Sequence, residues 1–71
     1  MLDDYEAMLL DQDGGCAICG APPPDGQSLH IDHDHATGAV RGLLCFTGNA
    51  GLGKFGETID LLSAAVAYLH R

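Results

Sequence analysis

Apolar positions recur at helical spacing near both ends of the chain. Leu2, Tyr5, Met8 and Leu9 fall three to four residues apart or side by side, which predicts a short helix over residues 2 to 12. Asp3, Asp4 and Glu6 stand early in that run, where carboxylates meet the positive end of a helix dipole. Gly14 and Gly15 are expected to stop it. At the other end, Ile59, Leu62, Val66 and Leu69 share one face of a helix predicted from about Thr58 to Leu69, with Thr58 as its N-cap.

Between the two helices the period changes. Leu29 to Ile31 alternates apolar and polar, and Ala39 to Leu44 is mostly apolar, so two short antiparallel strands are predicted, joined by a loop from Asp32 to Gly38. Asn49 to Phe55 is expected to form a short helix broken by glycines, because Gly48, Gly51, Gly53 and Gly56 weaken any longer one. These elements predict a small α+β protein with a helix at each end. No repeat or second domain interrupts residues 1–71, which are therefore expected to form a single domain.

A chain of 71 residues buries a small share of its surface and is expected to need a staple. Its three cysteines, Cys16, Cys19 and Cys45, are an odd number, which argues against a disulfide framework. A Cys-x-x-Cys turn points two thiolates at one ion, so a structural zinc is expected. The second knuckle, Cys45-Phe46-Thr47-Gly48, has glycine in its last place. His30, another histidine or water can fill the fourth coordination position, and the spacing does not choose among them. The competing readings are that Cys45 is a buried apolar residue without a metal, or that the cysteines have a thiol-redox role.

Charge works against broad nucleic-acid binding. Three basic residues, Arg41, Lys54 and Arg71, face ten acids, giving a net charge of -7. DNA contact has to be local or borrowed from a partner. No signal-peptide pattern and no run near the roughly 18 apolar residues of a membrane span is present, so a cytoplasmic, reducing location without membrane contact is expected.

The densest chemistry is His30-Ile31-Asp32-His33-Asp34-His35, three imidazoles and two carboxylates in six residues. A carboxylate there suits a hard divalent ion and an imidazole can take a proton from water attacking a phosphodiester. Adjacent residues of an ideal strand point to opposite faces, so Asp32 and His33 can serve one site only where the strand twists or ends. A solvated, histidine-rich hairpin loop is the plainer alternative.

Taken in order, Tyr5-Glu6-Ala7-Met8-Leu9, Cys16-Ala-Ile-Cys19-Gly20, Leu29 through Gly38, Val40-Arg41-Gly42-Leu43-Leu44-Cys45, Asn49 and Gly51-Leu52-Gly53 carry a resemblance. The chain resembles the recombination endonuclease VII family, phage-type HNH nucleases of the His-Me finger class. The resemblance implies a ββα-metal module and DNA cleavage by metal-assisted hydrolysis. By position it implies Asp32 and Asn49 as ligands of a catalytic magnesium or manganese, His33 as general base and His35 as a further active-site histidine near the phosphate. It likewise implies Cys16, Cys19 and Cys45 as three of four zinc ligands, and Arg41 keeps the family's position and can meet a phosphate.

Two departures accompany the resemblance. Gly48 replaces the fourth cysteine directly before Asn49, and a displacement of Asn49 by about 1 Å can cost on the order of 10²-fold in rate. The stretch from Cys45 to Lys54 also has Lys54 as its one basic residue. The best-known members resolve branched DNA as intertwined dimers, for which these residues are expected to be too few, so DNA preference and oligomeric state stay open. The first functional expectation is a metal-dependent endonuclease of phage or prophage origin, with Arg41 and Lys54 as its DNA contacts. The alternative is a nuclease-derived acidic protein that binds and regulates a protein partner.

Overall fold

The structure, a computed structural model, describes residues 3–71. Leu2, the first apolar position of the predicted N-terminal helix, lies outside the described residues.

Helix α1 runs Asp4–Asp11. Asp3 caps it, its Oδ1 accepting from Glu6 N at 2.7 Å. The predicted end at residue 12 is one residue late, and the two glycines divide the work assigned to both. Asp13 and Gly14 take left-handed backbone angles, φ 56 and φ 80, and Gly14 N returns to Leu9 O at 2.8 Å, which closes the helix end. Gly15 instead closes the cysteine turn. A Cβ there would stand 2.2 Å from the Gly20 carbonyl oxygen, so only glycine lets the two arms of that turn meet. Gly15→Ala is therefore expected to destabilise the protein by about 1–3 kcal/mol or more and to weaken metal uptake. Paired melting curves and zinc titrations check this, and an unchanged melting temperature would refute it.

Strand β1 spans His30–His33 and pairs antiparallel with β2, Val40–Leu44. The predicted first strand ended at Ile31, whereas the ladder continues and carries Asp32 and His33 on the strand itself. The connecting loop is correspondingly shorter. Asp34 builds it: its Oδ1 accepts from Ala36 N at 2.8 Å and Thr37 N at 3.1 Å, and its N donates to Ala39 O. Those amide donors hold the Asp34 carboxyl below the usual carboxylate range. The register runs His30↔Leu44, Ile31↔Leu43, Asp32↔Gly42, then His33↔Val40, so Arg41 is the extra residue of a bulge.

Helix α2 is Phe46–Lys54, three residues longer at its start than predicted. The reason is its cap. Cys45 Sγ accepts from Gly48 N at 3.2 Å, so the sulfur does the work of a capping oxygen and the helix propagates through its glycines. Helix α3, Ile59–Leu69, begins as predicted, with Thr58 Oγ1 accepting from Leu61 N at 3.3 Å.

The buried apolar side chains among the described residues are Cys16, Leu29, Leu43 and Leu44. Around them, two polar side chains replace missing strand partners. Gln12 Nε2 donates to Leu43 O at 3.0 Å and to Gly15 O at 2.8 Å, while its Oε1 accepts from Leu43 N at 2.9 Å. Tyr5 Oη accepts from Leu29 N at 2.9 Å. Ala17 N also bonds Leu43 O, so the cysteine turn, the end of α1 and the middle of β2 are tied at one residue. By contrast α3 is open: Ile59, Leu61, Val66, Tyr68 and Leu69 are all exposed. The radius of gyration, 13.5 Å, exceeds the roughly 11 Å of a compact domain of this length. No helix among the described residues is long and apolar enough to cross a membrane.

Candidate functional site

Two arrangements of functional groups lie on opposite ends of the hairpin. The first gathers the cysteines. Cys16 and Cys19 come from the turn after α1, and Cys45 from the junction of β2 and α2. One sulfur of each lies within 4.8 Å of the other two, with Cys19 Sγ and Cys45 Sγ 3.4 Å apart. Zinc at 2.3 Å from tetrahedral sulfurs needs them about 3.8 Å apart, so this donor set fits. All three are free thiols.

The electrostatics are those of a cation site. Burial pushes the Cys16 thiol up, but backbone N–H groups of Cys19, Cys45 and Ile18 outweigh it and bring it down to about 6. At Cys19 the Ala21 backbone N–H lowers the thiol, yet the adjacent sulfurs of Cys45 and Cys16 win and raise it. Neighbouring sulfurs resist ionising together unless a positive ion is shared. The three cysteines can thus hold a metal such as zinc.

His30 does not join them. It starts β1 and lines a cleft that Cys19, Cys45, Phe46 and Thr47 also border, its ring tilted against Phe46 at 6.3 Å. Among the described residues, no histidine or carboxylate completes the cysteine group. Gly48 marks the missing corner: a Cβ there would stand 3.4 Å from Cys16 Sγ and 3.6 Å from Cys45 Sγ. Gly48→Cys is therefore expected to bind zinc at least about tenfold more tightly and to melt higher. Gly48→Ala is the control, since it gains helix propensity of up to about 1 kcal/mol without a ligand. A competition titration in which the cysteine variant binds no better than the alanine variant would sink this expectation.

The second arrangement is at the bulged end of the sheet. Asp32, only 12% exposed at its side chain, receives Arg41 in a fork, Nε to Oδ2 at 2.7 Å and Nη2 to Oδ1 at 3.1 Å. Arg41 Nη2 also pairs with Glu57, whose other oxygen lies 3.3 Å from His35 Nε2. Asp32 and then Glu57 raise the Arg41 guanidinium, which stays charged. Asp32 and Arg41 open on a shallow cleft that Ile18 and Leu52 also line, and these two residues border the cysteine centre as well.

The structure therefore brings Asp32, Arg41 and His35 into one network, and places His33 on the strand beside Asp32. The side chains of His33, Asn49 and Lys54 are exposed and take no part in the hydrogen bonds or ion pairs of the described residues. Asn49 N does bond Cys45 O at 2.9 Å, so the helix holds Asn49 in register without a fourth cysteine. Glu57 was not foreseen. Its signal was present: no acid occurs between Asp34 and Glu57, and Glu57 follows Gly56 with a left-handed φ of 56, a conformation that non-glycine residues seldom adopt.

Fold and cysteine cluster together define a small α+β protein, with three helices and a two-stranded antiparallel sheet among the described residues and a centre able to bind a metal. The model of the recombination endonuclease VII family matches residues 1–71, and the chain belongs to that family. It is similar to the "Gene 59 protein" of Mycobacterium phage D29, 40% identical over 70 residues that cover 97% of this chain and 42% of that protein. It is also 40% identical over 68 residues to the "Gene 59 protein" of Mycobacterium phage L5, covering 94% of this chain and 42% of that protein. The chain thus spans less than half the length of these curated relatives.

Proposed function

We propose that this protein is a metal-dependent DNA endonuclease of phage or prophage origin, built as a single ββα-metal domain. Zinc at Cys16, Cys19 and Cys45 is structural. Asp32 and Asn49 supply the hard oxygens for a catalytic magnesium or manganese, for which a carboxylate that already attracts a guanidinium is a fitting donor. When bound, that ion stabilises charge on the phosphate and on the leaving oxygen. His33 takes the proton from the attacking water, and His35 and Arg41 lie where they can meet the phosphate.

The observation that carries this reading is the irregular end of the sheet at Asp32 and His33, where Arg41 of β2 is the extra residue and its guanidinium lies on Asp32. An unbroken strand sends neighbouring side chains to opposite faces, but β1 ends at His33 and the loop begins there, so Asp32 and His33 can address one phosphodiester. Family membership over residues 1–71 supports the same conclusion. Arg41 shares Asp32 and Glu57, so its turn toward a phosphate loosens both pairs. Lys54, exposed at the end of α2, is the second DNA contact.

With a net charge of -7, cleavage by the protein alone is expected to be weak, and because Arg41 and Lys54 supply its phosphate contacts it is expected to fall as salt rises. The protein acts in the cytoplasm of the phage-infected or lysogenic cell. The alternative, an acidic interaction protein bound to a partner, has the charge in its favour and family membership against it. Supercoiled plasmid and a branched junction, incubated with manganese at low salt, test the proposal. Metal-dependent nicking or cutting is expected, and an inactive protein with a filled zinc centre would transfer the case to the alternative.

A further inference from the structure

The cysteines occupy three corners of a tetrahedron, and the surroundings of the fourth corner are specific. A side chain at Gly48 would enter there, its Cβ 3.4 Å from Cys16 Sγ, 3.6 Å from Cys45 Sγ and 3.7 Å from Ile18 Cδ1. Gly48 lines a mostly apolar cleft of about 320 Å³ with Ile18, Cys19, Leu52, Phe55 and Leu62, and Thr47 brings its one side-chain hydroxyl. A cavity of about 150 Å³ already admits a benzene-sized body, so there is room for more than water. Water arriving through this cleft has few hydrogen-bond partners, whereas sulfur on an apolar body gains both a soft metal bond and apolar contact. His30 lines another, more polar cleft that Cys19 and Cys45 also border, and its imidazole is not among the donor atoms gathered with the three sulfurs.

We propose that the metal centre reserves the Gly48 corner for an exogenous thiolate carried on a small apolar body, which enters between Ile18, Leu52, Phe55 and Leu62. This rests on the metal reading of the three cysteines and is independent of the nuclease chemistry. The thiol releases its proton to solvent as its sulfur binds, any water at that corner leaves, and no oxidation state changes. Gly48 is what makes the site selective, because any larger residue there fills the entry.

Cobalt(II) in place of zinc reports the sulfur count through its charge-transfer absorption. The cobalt protein, prepared without thiol reductant, is titrated separately with benzyl mercaptan and with 2-mercaptoethanol. Absorption is expected to rise saturably by about one third as three sulfurs become four. Benzyl mercaptan is expected to half-saturate at a concentration on the order of tenfold lower than 2-mercaptoethanol. Gly48→Cys is expected to show the four-sulfur spectrum from the start and not to respond, and Leu62→Gln to keep the three-sulfur spectrum while narrowing the preference between the thiols. An unresponsive three-sulfur spectrum in the parent overturns the proposal, as does cobalt stripped by the thiols. A four-sulfur spectrum without added thiol also overturns it, and its loss on dilution would assign the fourth sulfur to a second copy of the chain. Failure to take up cobalt at all sinks the metal reading itself, which separates the two.

Discussion

Excess chelator is expected to unfold this protein. Among the described residues the buried apolar groups are three leucines and a cysteine, and one of those four is itself a proposed metal ligand. Burying a leucine contributes about 1.5–3 kcal/mol, while fixing each residue's backbone costs about 1–2 kcal/mol, so a core this small does not hold the chain alone. Structural zinc contributes an apparent 10–16 kcal/mol, roughly, in small finger peptides. The cluster also sits at the one place where the end of α1, the cysteine turn, β2 and the cap of α2 meet, so the loss of the metal reaches every element but α3. Circular dichroism should lose its helical signal and its cooperative melt when a strong chelator is added, and both should return with zinc. A melting curve indifferent to chelator would show that Gln12, Tyr5 and the leucines suffice.

His33→Ala is expected to reduce DNA cleavage by on the order of 10²–10⁴-fold while leaving the fold intact. The two halves of that statement have separate grounds. His33 is exposed, and its side chain makes no hydrogen bond among the described residues, so its removal leaves no buried group unpaired. In the proposed mechanism, however, it is the general base, and its removal takes away the group that accepts the proton of the attacking water. Cleavage of plasmid with manganese should collapse, with zinc content and melting temperature within error of the parent. A variant that cuts as well as the parent would remove His33 from the mechanism and turn attention to His35, which Glu57 holds at 3.3 Å.

How far this site can be read from sequence depends on the kind of signal each residue leaves. The cysteines, the histidine run and the Thr58 cap announce themselves, because metal ligation, acid–base chemistry and capping each restrict residue type at a fixed local spacing. The start of α2 escaped because a thiol was not expected to cap a helix. The extension of β1 through His33 escaped because polar residues on an exposed strand do not differ from loop residues in pattern. Gln12 reaches Leu43 across 31 residues and Glu57 reaches Arg41 across 16, and no local periodicity encodes such distances.

The sequence by itself determined the small α+β class, the two helices at the ends, the three-cysteine centre and the run of imidazoles and carboxylates from His30 to His35. All of these follow from composition, period and short-range spacing, which a chain carries without folding. Only the tertiary structure decided the rest. Placing Arg41 out of the ladder put its guanidinium on Asp32, and bringing the turn before α3 back to β2 added Glu57 to the same network. It also set Gly48 against two sulfurs beside an apolar cleft rather than against His30. Register and the packing of distant elements fix those relations, and they exist only once the chain has closed on itself.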